Sequence, residues 1–262
     1  MQLFFTTITR NIIIYLCVLI TLTGGACAPT GDTGSITVFA AASLQEPLRE
    51  IADEYEANND LEIYLNLGGS MSLANQISRG APADVFIAAG MLPAAKLLAE
   101  SIVQPQDVRP WLTNELLLVT GKPNRFIGRG LEIVLDNTVA IADPALAPAG
   151  SYAKECMDSF GMWDQIEYNV IRSPNVRAAL ASVEAGSADL AFIYETDLQL
   201  SDKVEKVFRC PEGSHSPIEY LVSLVSDESR ADHGAGFIGF LNSEYAVDVM
   251  SKHGFIVIGQ SE

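Results

Sequence analysis

The hydrophobic pattern changes period along the chain in a regular way. Ile36-Thr37-Val38-Phe39-Ala40-Ala41 is a continuous apolar run with β-branched and aromatic residues, which predicts a buried strand. Immediately afterwards Leu44, Leu48, Ile51 and Tyr55 recur at helical spacing and predict a helix with one buried face. From Leu61 the period drops to two. Leu61, Ile63, Leu65 and Leu67 alternate with Glu62, Tyr64 and Asn66, the signature of a half-buried strand. The same alternation of element types continues. Strands are predicted over 84–88, 114–120, 138–142, 169–171, 188–194, 204–210, 218–225 and 255–258. Helices are predicted over 71–79, 92–101, 151–161, 176–185, 234–241 and 243–253, several of them stopped by Gly80, Gly161, Gly186 or Gly254. Residues 131–135 are too weakly patterned to assign. Strands that alternate with helices imply parallel α/β sheets, in which ligands bind at the carboxyl ends of the strands.

Several of those strand ends lead through small residues into a helix. Ser43 follows the first strand, with Glu46 three residues on, the spacing of a capping box. Ser70 follows Gly68-Gly69 in the same way. The turn 143–150 opens into a helix near Ala149 with no obvious capping side chain, and Asn175 is a natural N-cap ahead of Val176. Tyr194 ends a strand. Free N–H groups at helix starts, together with the helix dipole, favour an anion. Each serine on its own could simply cap its helix. The recurrence of the device at Ser43, Ser70, Ala149 and Val176, with Tyr194 at a neighbouring strand end, points to a site for a small anion.

Composition narrows the partners. The chain has 262 residues, 48% hydrophobic and 19% charged, with a formal net charge of −17. That size allows one large or two smaller domains. No basic patch is evident, so nucleic acid and anionic membrane surfaces are excluded as expected partners. An anion would have to be held by local donors against the global field. The first 26 residues carry one charge, Arg10, and an apolar stretch over 12–22 that is too short to span a bilayer. They read as an export signal. Thr23-Gly24-Gly25-Ala26-Cys27 resembles a bacterial lipobox, with Cys27 as the lipidation site; ordinary cleavage into a soluble periplasmic protein is the alternative. Residues 27–35 have linker composition and are expected to be a tether.

Beyond Cys27, Cys156 and Cys210 are expected as two buried free thiols, although an oxidising compartment permits a disulfide. His215, His233 and His253 are scattered, and no cluster has metal-ligand spacing. Neither a phosphate loop with lysine nor a nucleophile elbow is present. No catalytic constellation can be assembled, so binding without chemistry and without a resident cofactor is expected.

Five stretches together carry a family resemblance. They are Ile36 to Leu44, Gly80 to Ala88 (Gly-Ala-Pro-Ala-Asp-Val-Phe-Ile-Ala), Asp143-Pro144 with Pro148-Ala149-Gly150 and Tyr152-Ala153, Asn175 to Leu180 (Asn-Val-Arg-Ala-Ala-Leu), and Phe192-Ile193-Tyr194. In this order they resemble the molybdate-binding proteins of bacterial molybdate ABC transporters. The resemblance implies the type II periplasmic-binding-protein fold: an α/β protein of two lobes, each a mainly parallel sheet flanked by helices, joined by two crossing strands. By that analogy lobe one is 36–117 plus 221–262, lobe two is 118–220, and the crossings lie near 114–120 and 218–225. It also implies an oxyanion, molybdate or tungstate, in the interlobe cleft. Ser43, Ser70 and Tyr194 would offer hydroxyls, with Ser72 the alternative to Ser70, and Ala149 and Val176 would offer backbone N–H groups. Arg177 is read as structural. The implied partner is the membrane permease of an ABC importer, met outside the cytoplasmic membrane by a monomer that touches membrane only through a lipid anchor. Sulfate or thiosulfate is the alternative ligand.

Overall fold

The computed structural model describes residues 34–225 and 231–258. The segment expected to be an export signal, Cys27 and most of the expected tether lie outside the described residues. The last two tether positions do not: Gly34 and Ser35 already belong to the first strand, β1 (Gly34–Ala41).

Two sheets form the frame. The first has the order β11-β4-β10-β3-β1-β2. Its strands are β1, β2 (Leu61–Gly68), β3 (Val85–Ala89), β4 (Val108–Thr113), β10 (Glu219–Leu224) and β11 (Ile256–Val257). The second has the order β7-β6-β8-β5-β9, from β5 (Leu116–Gly121), β6 (Val139–Ala142), β7 (Val170–Ser173), β8 (Leu190–Tyr194) and β9 (Val204–Arg209). Both sheets are mixed rather than mainly parallel. β1 runs parallel to β2 and β3, and β6 parallel to β7 and β8. β10, β4 and β11 in one sheet, and β5 and β9 in the other, join by antiparallel pairing. The pattern of apolar runs cannot distinguish these, because a strand covered on both faces is apolar whichever way it runs.

β1 shows why its run is unbroken. Ile36, Val38 and Ala40 enter one core, beneath helix α1 (Gln45–Asn58), while Phe39 on the opposite face joins Phe86, Ala88, Leu73 and Leu97. Leu73 and Leu97 come from α2 (Ser70–Ser78) and α3 (Met91–Ala99). β2 is the edge of its sheet and keeps its alternation, with Glu62 and Tyr64 exposed. β4 is missing from the predicted elements because Arg109 and Pro110 interrupt its apolar pattern. Pro110 is tolerated where the pairing with β10 shifts register between Tyr220 and Leu221.

The chain passes from the first sheet to the second at Asn114-Glu115 and returns between Arg209 and Glu219. The strands expected to cross, 114–120 and 218–225, each lie within a single sheet. In the second lobe, α4 (Pro148–Ser159) and α6 (Val176–Glu184) pack on β6 and β8, with the short helices α5 (Trp163–Ile166) and α7 (Glu195–Leu198). In the first, α8 (Ala231–Phe240) and α9 (Glu244–Lys252) finish the layer, with Ser243 capping α9 through Ala246 N–H at 3.2 Å. Residues 131–135 form a 3₁₀ turn.

The two cysteines are not free thiols. Cys156 on α4 and Cys210 just after β9 form a disulfide, with Cα atoms 6.1 Å apart. They are 54 positions apart in the chain. Their meeting depends on how α4 packs over the second sheet, which local pattern does not encode.

Candidate functional site

The carboxyl ends of β1, β2, β6, β7 and β8 converge on the gap between the two sheets. β1 runs into a 3₁₀ turn, Ala42–Leu44, that continues directly as α1. Ser43 sits inside this turn, 1% exposed, and caps nothing. Its hydroxyl is 2.8 Å from the Tyr220 hydroxyl on β10. Tyr220 in turn accepts from Asn114 Nδ2 at 3.4 Å, and the same amide nitrogen donates to Thr196 Oγ1 at 2.9 Å. Either hydroxyl can donate in the Ser43–Tyr220 pair; when Tyr220 donates, the Ser43 proton is free to turn to a bound group. The capping box expected from Ser43 and Glu46 does not form, because Glu46 is drawn to Arg177 at 2.6 Å.

Ser70 repeats the arrangement one strand over. Gly69 is the N-cap and Ser70 the first residue of α2. The Ser70 oxygen accepts the Ala89 N–H at 3.0 Å, so its own proton is also available. Ser72 does not border the cavity; its backbone N–H, like that of Met71, donates to the Leu146 carbonyl at 3.1 Å.

On the other lobe α4 starts three residues earlier than the pattern predicts, at Pro148, whose missing N–H suits the first helical position. This places Ala149 in the first turn, with no side-chain cap over it. Gly150 lets that turn lie flat on the end of β6, since a Cβ there would fall 1.9 Å from the Ala142 carbonyl oxygen. Asn175 caps α6 by accepting from Ala178 N–H at 3.0 Å, and Val176 follows as its first residue. First-turn N–H groups such as those of Ala149 and Val176 have no intrahelical acceptor.

Tyr194 ends β8. It is 1% exposed, and its hydroxyl has no hydrogen-bond partner among the described residues. Burial, with Tyr220, Tyr152 and Asp197 nearby, pushes its phenol well above the ordinary value. It therefore stays a neutral donor. Its backbone N–H donates to the Asp197 carboxylate at 3.0 Å. Asp197 is wholly buried, and that burial raises its carboxyl to about 6 despite Arg177 at 2.9 Å.

Ser43, Ser70, Ala149, Val176 and Tyr194 all border one small cavity. Its other walls are Ala41, Ala42, Gly68, Gly69, Ala89, Ala147, Pro148 and Asn175, so no wall residue carries a formal charge. A space lined by hydroxyls and helix starts, with an unpartnered phenol, can accept an anion through hydrogen bonds alone. Larger grooves exist, but there the donors, such as Lys122, Arg125 and Lys203 in one and Arg209 in the other, stand among carboxylates: Glu184, Asp189 and Asp202 in the first, Glu115 and Glu212 in the second. Tyr220, Asn114 and Asp197 escape sequence reasoning. Their partners lie tens of residues away or more, or inside the four-residue helix α7, and no local signal announces them.

Two α/β lobes that close on a cleft of donors define a solute-binding protein of the type II periplasmic-binding-protein architecture. The chain belongs to the bacterial extracellular solute-binding protein family, whose model matches residues 36–256. Among its relatives is the molybdate-binding protein ModA of Haemophilus influenzae, 32% identical over 230 residues, covering 85% of this chain and 90% of that one. The structure of the Azotobacter vinelandii periplasmic molybdate-binding protein superposes with a TM-score of 0.74 at 19% identity, covering 84% of this chain and 98% of that one. The sulfate-binding protein SubI of Mycobacterium tuberculosis has the same fold, with a TM-score of 0.73 at 16% identity over 87% of this chain and 88% of that one.

Proposed function

We propose that this protein captures molybdate, and tungstate with it, in the interlobe cavity and delivers it to the permease of an ABC importer. The observation that carries the reading is the Tyr194 hydroxyl: buried, neutral and without a partner, at the edge of a cavity where four other donor positions meet. A buried hydroxyl without a partner costs about 1–3 kcal/mol, which a bound oxyanion would recover. Each charge-assisted hydrogen bond to the anion contributes about 1.5–3 kcal/mol. Neutral donors have a further consequence. Molybdate and sulfate present only acceptors at neutral pH, whereas protonated phosphate brings a P–OH that needs an acceptor. No carboxylate borders the cavity to take it.

The protein acts outside the cytoplasmic membrane as a monomer, with Cys27 as the anchor if it is lipidated. Sulfate or thiosulfate is the second reading, supported by the fold shared with a sulfate-binding protein. Calorimetric titration of the chain from Ala28 onward with molybdate, tungstate, sulfate and phosphate separates the readings. Tight binding of the first two with phosphate excluded is the expected result. Sulfate bound as tightly as molybdate would move the assignment to a broader oxyanion carrier. Phosphate bound as well as molybdate would overturn the donor-only account.

A further inference from the structure

We propose that Arg177 is an interlobe clasp that sets how long the closed, anion-loaded state lasts. The inference rests on the reading that an oxyanion is held in the cleft, and it assigns a role to a residue outside the cavity wall.

Arg177 is the second residue of α6, in lobe two, directly after Val176. Its guanidinium leaves its own lobe by one edge only. Nη2 donates to the Ser43 carbonyl at 3.1 Å and to Glu46 Oε2 at 2.6 Å, both in lobe one. Nε faces Asp197 at 2.9 Å within lobe two. Asp197 in turn accepts the Tyr194 N–H. One cation therefore contacts the backbone of Ser43, follows Val176 in the chain, and is joined through Asp197 to Tyr194. These are three of the five donor positions, drawn from both lobes.

The two halves of this network differ in what they require. The Arg177–Asp197 pair lies within one lobe and persists whether the cleft is open or shut. The Arg177–Glu46 and Arg177–Ser43 contacts exist only when the lobes meet. Contacts present only in the closed state act on its lifetime, and hence on release of the anion more than on its capture. The Arg177 side chain is 19% exposed and that of Glu46 37%, so the pair is partly screened and its effect is moderate.

The test uses the protein with molybdate as the probe, in four forms: wild type, Glu46→Gln, Arg177→Gln and the double variant. Stopped-flow measurement gives association and release, and thermal melting without anion gives the stability of the unliganded protein. Glu46→Gln should release molybdate about fivefold faster, with association within about twofold and an unchanged anion-free melt. Arg177→Gln should release it about tenfold faster or more, because the Ser43 carbonyl contact is lost as well. The double variant should match Arg177→Gln alone, since one contact cannot be lost twice. Because Arg177→Gln leaves Asp197 buried without its cation and can weaken folding, Glu46→Gln on the exposed side decides the matter. Release at the wild-type rate in Glu46→Gln overturns the clasp. So does a further fivefold loss when Glu46→Gln is added to Arg177→Gln, which would make the two residues independent. If the wild type fails to bind molybdate, the proposed function falls instead; the same four proteins are then compared with whichever of tungstate, sulfate or phosphate the wild type binds. A wild type that binds none of them removes the clasp with the site.

Discussion

Tyr194 and the two serines show how neighbours decide what a polar side chain is for. Ser43 and Ser70 stand where a cap would stand, yet neither caps its helix, because each oxygen is engaged by a group from another strand, Tyr220 for one and Ala89 for the other. That leaves the Ser70 proton free to donate, and the Ser43 proton as well when Tyr220 is the donor of its pair. Tyr194 carries the opposite imbalance, a buried donor with nothing to donate to. Tyr194→Phe should therefore have two effects of different sign. Oxyanion affinity should fall by about tenfold or more. The melting temperature without anion should stay level or rise slightly, since an unpaired buried hydroxyl has been removed. A calorimetric titration and a thermal melt read the two effects separately, and a variant that loses anion-free stability would show that the hydroxyl is already paired within the fold.

At the scale of elements, α4 is held by two devices of different kinds. Gly150 gives it close approach to β6, and the Cys156–Cys210 disulfide ties its third turn to the end of β9. By the chain-entropy model, closing a loop with a sequence separation of 54 contributes at most about 4 kcal/mol. Reduction, or the paired change of both cysteines to alanine, should lower the melting temperature while leaving oxyanion affinity within about twofold, because the bridge lies well behind the first turn that faces the cavity. An affinity loss as large as the stability loss would mean that the bridge positions Ala149.

For the whole molecule the proposed function makes lobe contact the controlling event. Gly69 has φ −68° and ψ 127°, backbone angles that any residue adopts. A Cβ at this position would fall 2.6 Å from the Leu146 carbonyl oxygen and 2.7 Å from that of Pro174, both in lobe two. Glycine is needed there by closure, with no requirement from local conformation. Gly69→Ala should leave the anion-free melt near wild type and weaken oxyanion binding by about tenfold or more, because the extra methyl holds the lobes apart at the cavity rim. Unchanged affinity in this variant would mean that the loaded state is more open than the one described. Bound anion should also raise stability with the logarithm of its free concentration, by about 2.7 kcal/mol at a hundred times its dissociation constant.

Local pattern determined much about this protein: the alternation of elements, most of their positions to within a few residues, and the small-residue turns that place Ser43, Ser70, Ala149, Val176 and Tyr194 at strand ends. These follow from periodicity and turn chemistry, which act between near neighbours in the chain. The order of the stretches also carried the family resemblance. Tertiary structure alone decided the rest. Strand direction within each sheet, the pairing of Cys156 with Cys210, the Asn114–Tyr220–Ser43 chain and the reach of Arg177 to Glu46 all join groups 54 to 177 positions apart, or depend on how such groups are brought together. No local preference distinguishes those pairings from their alternatives. They are selected by which faces can be buried together, and the orientation of each site hydroxyl follows from that packing.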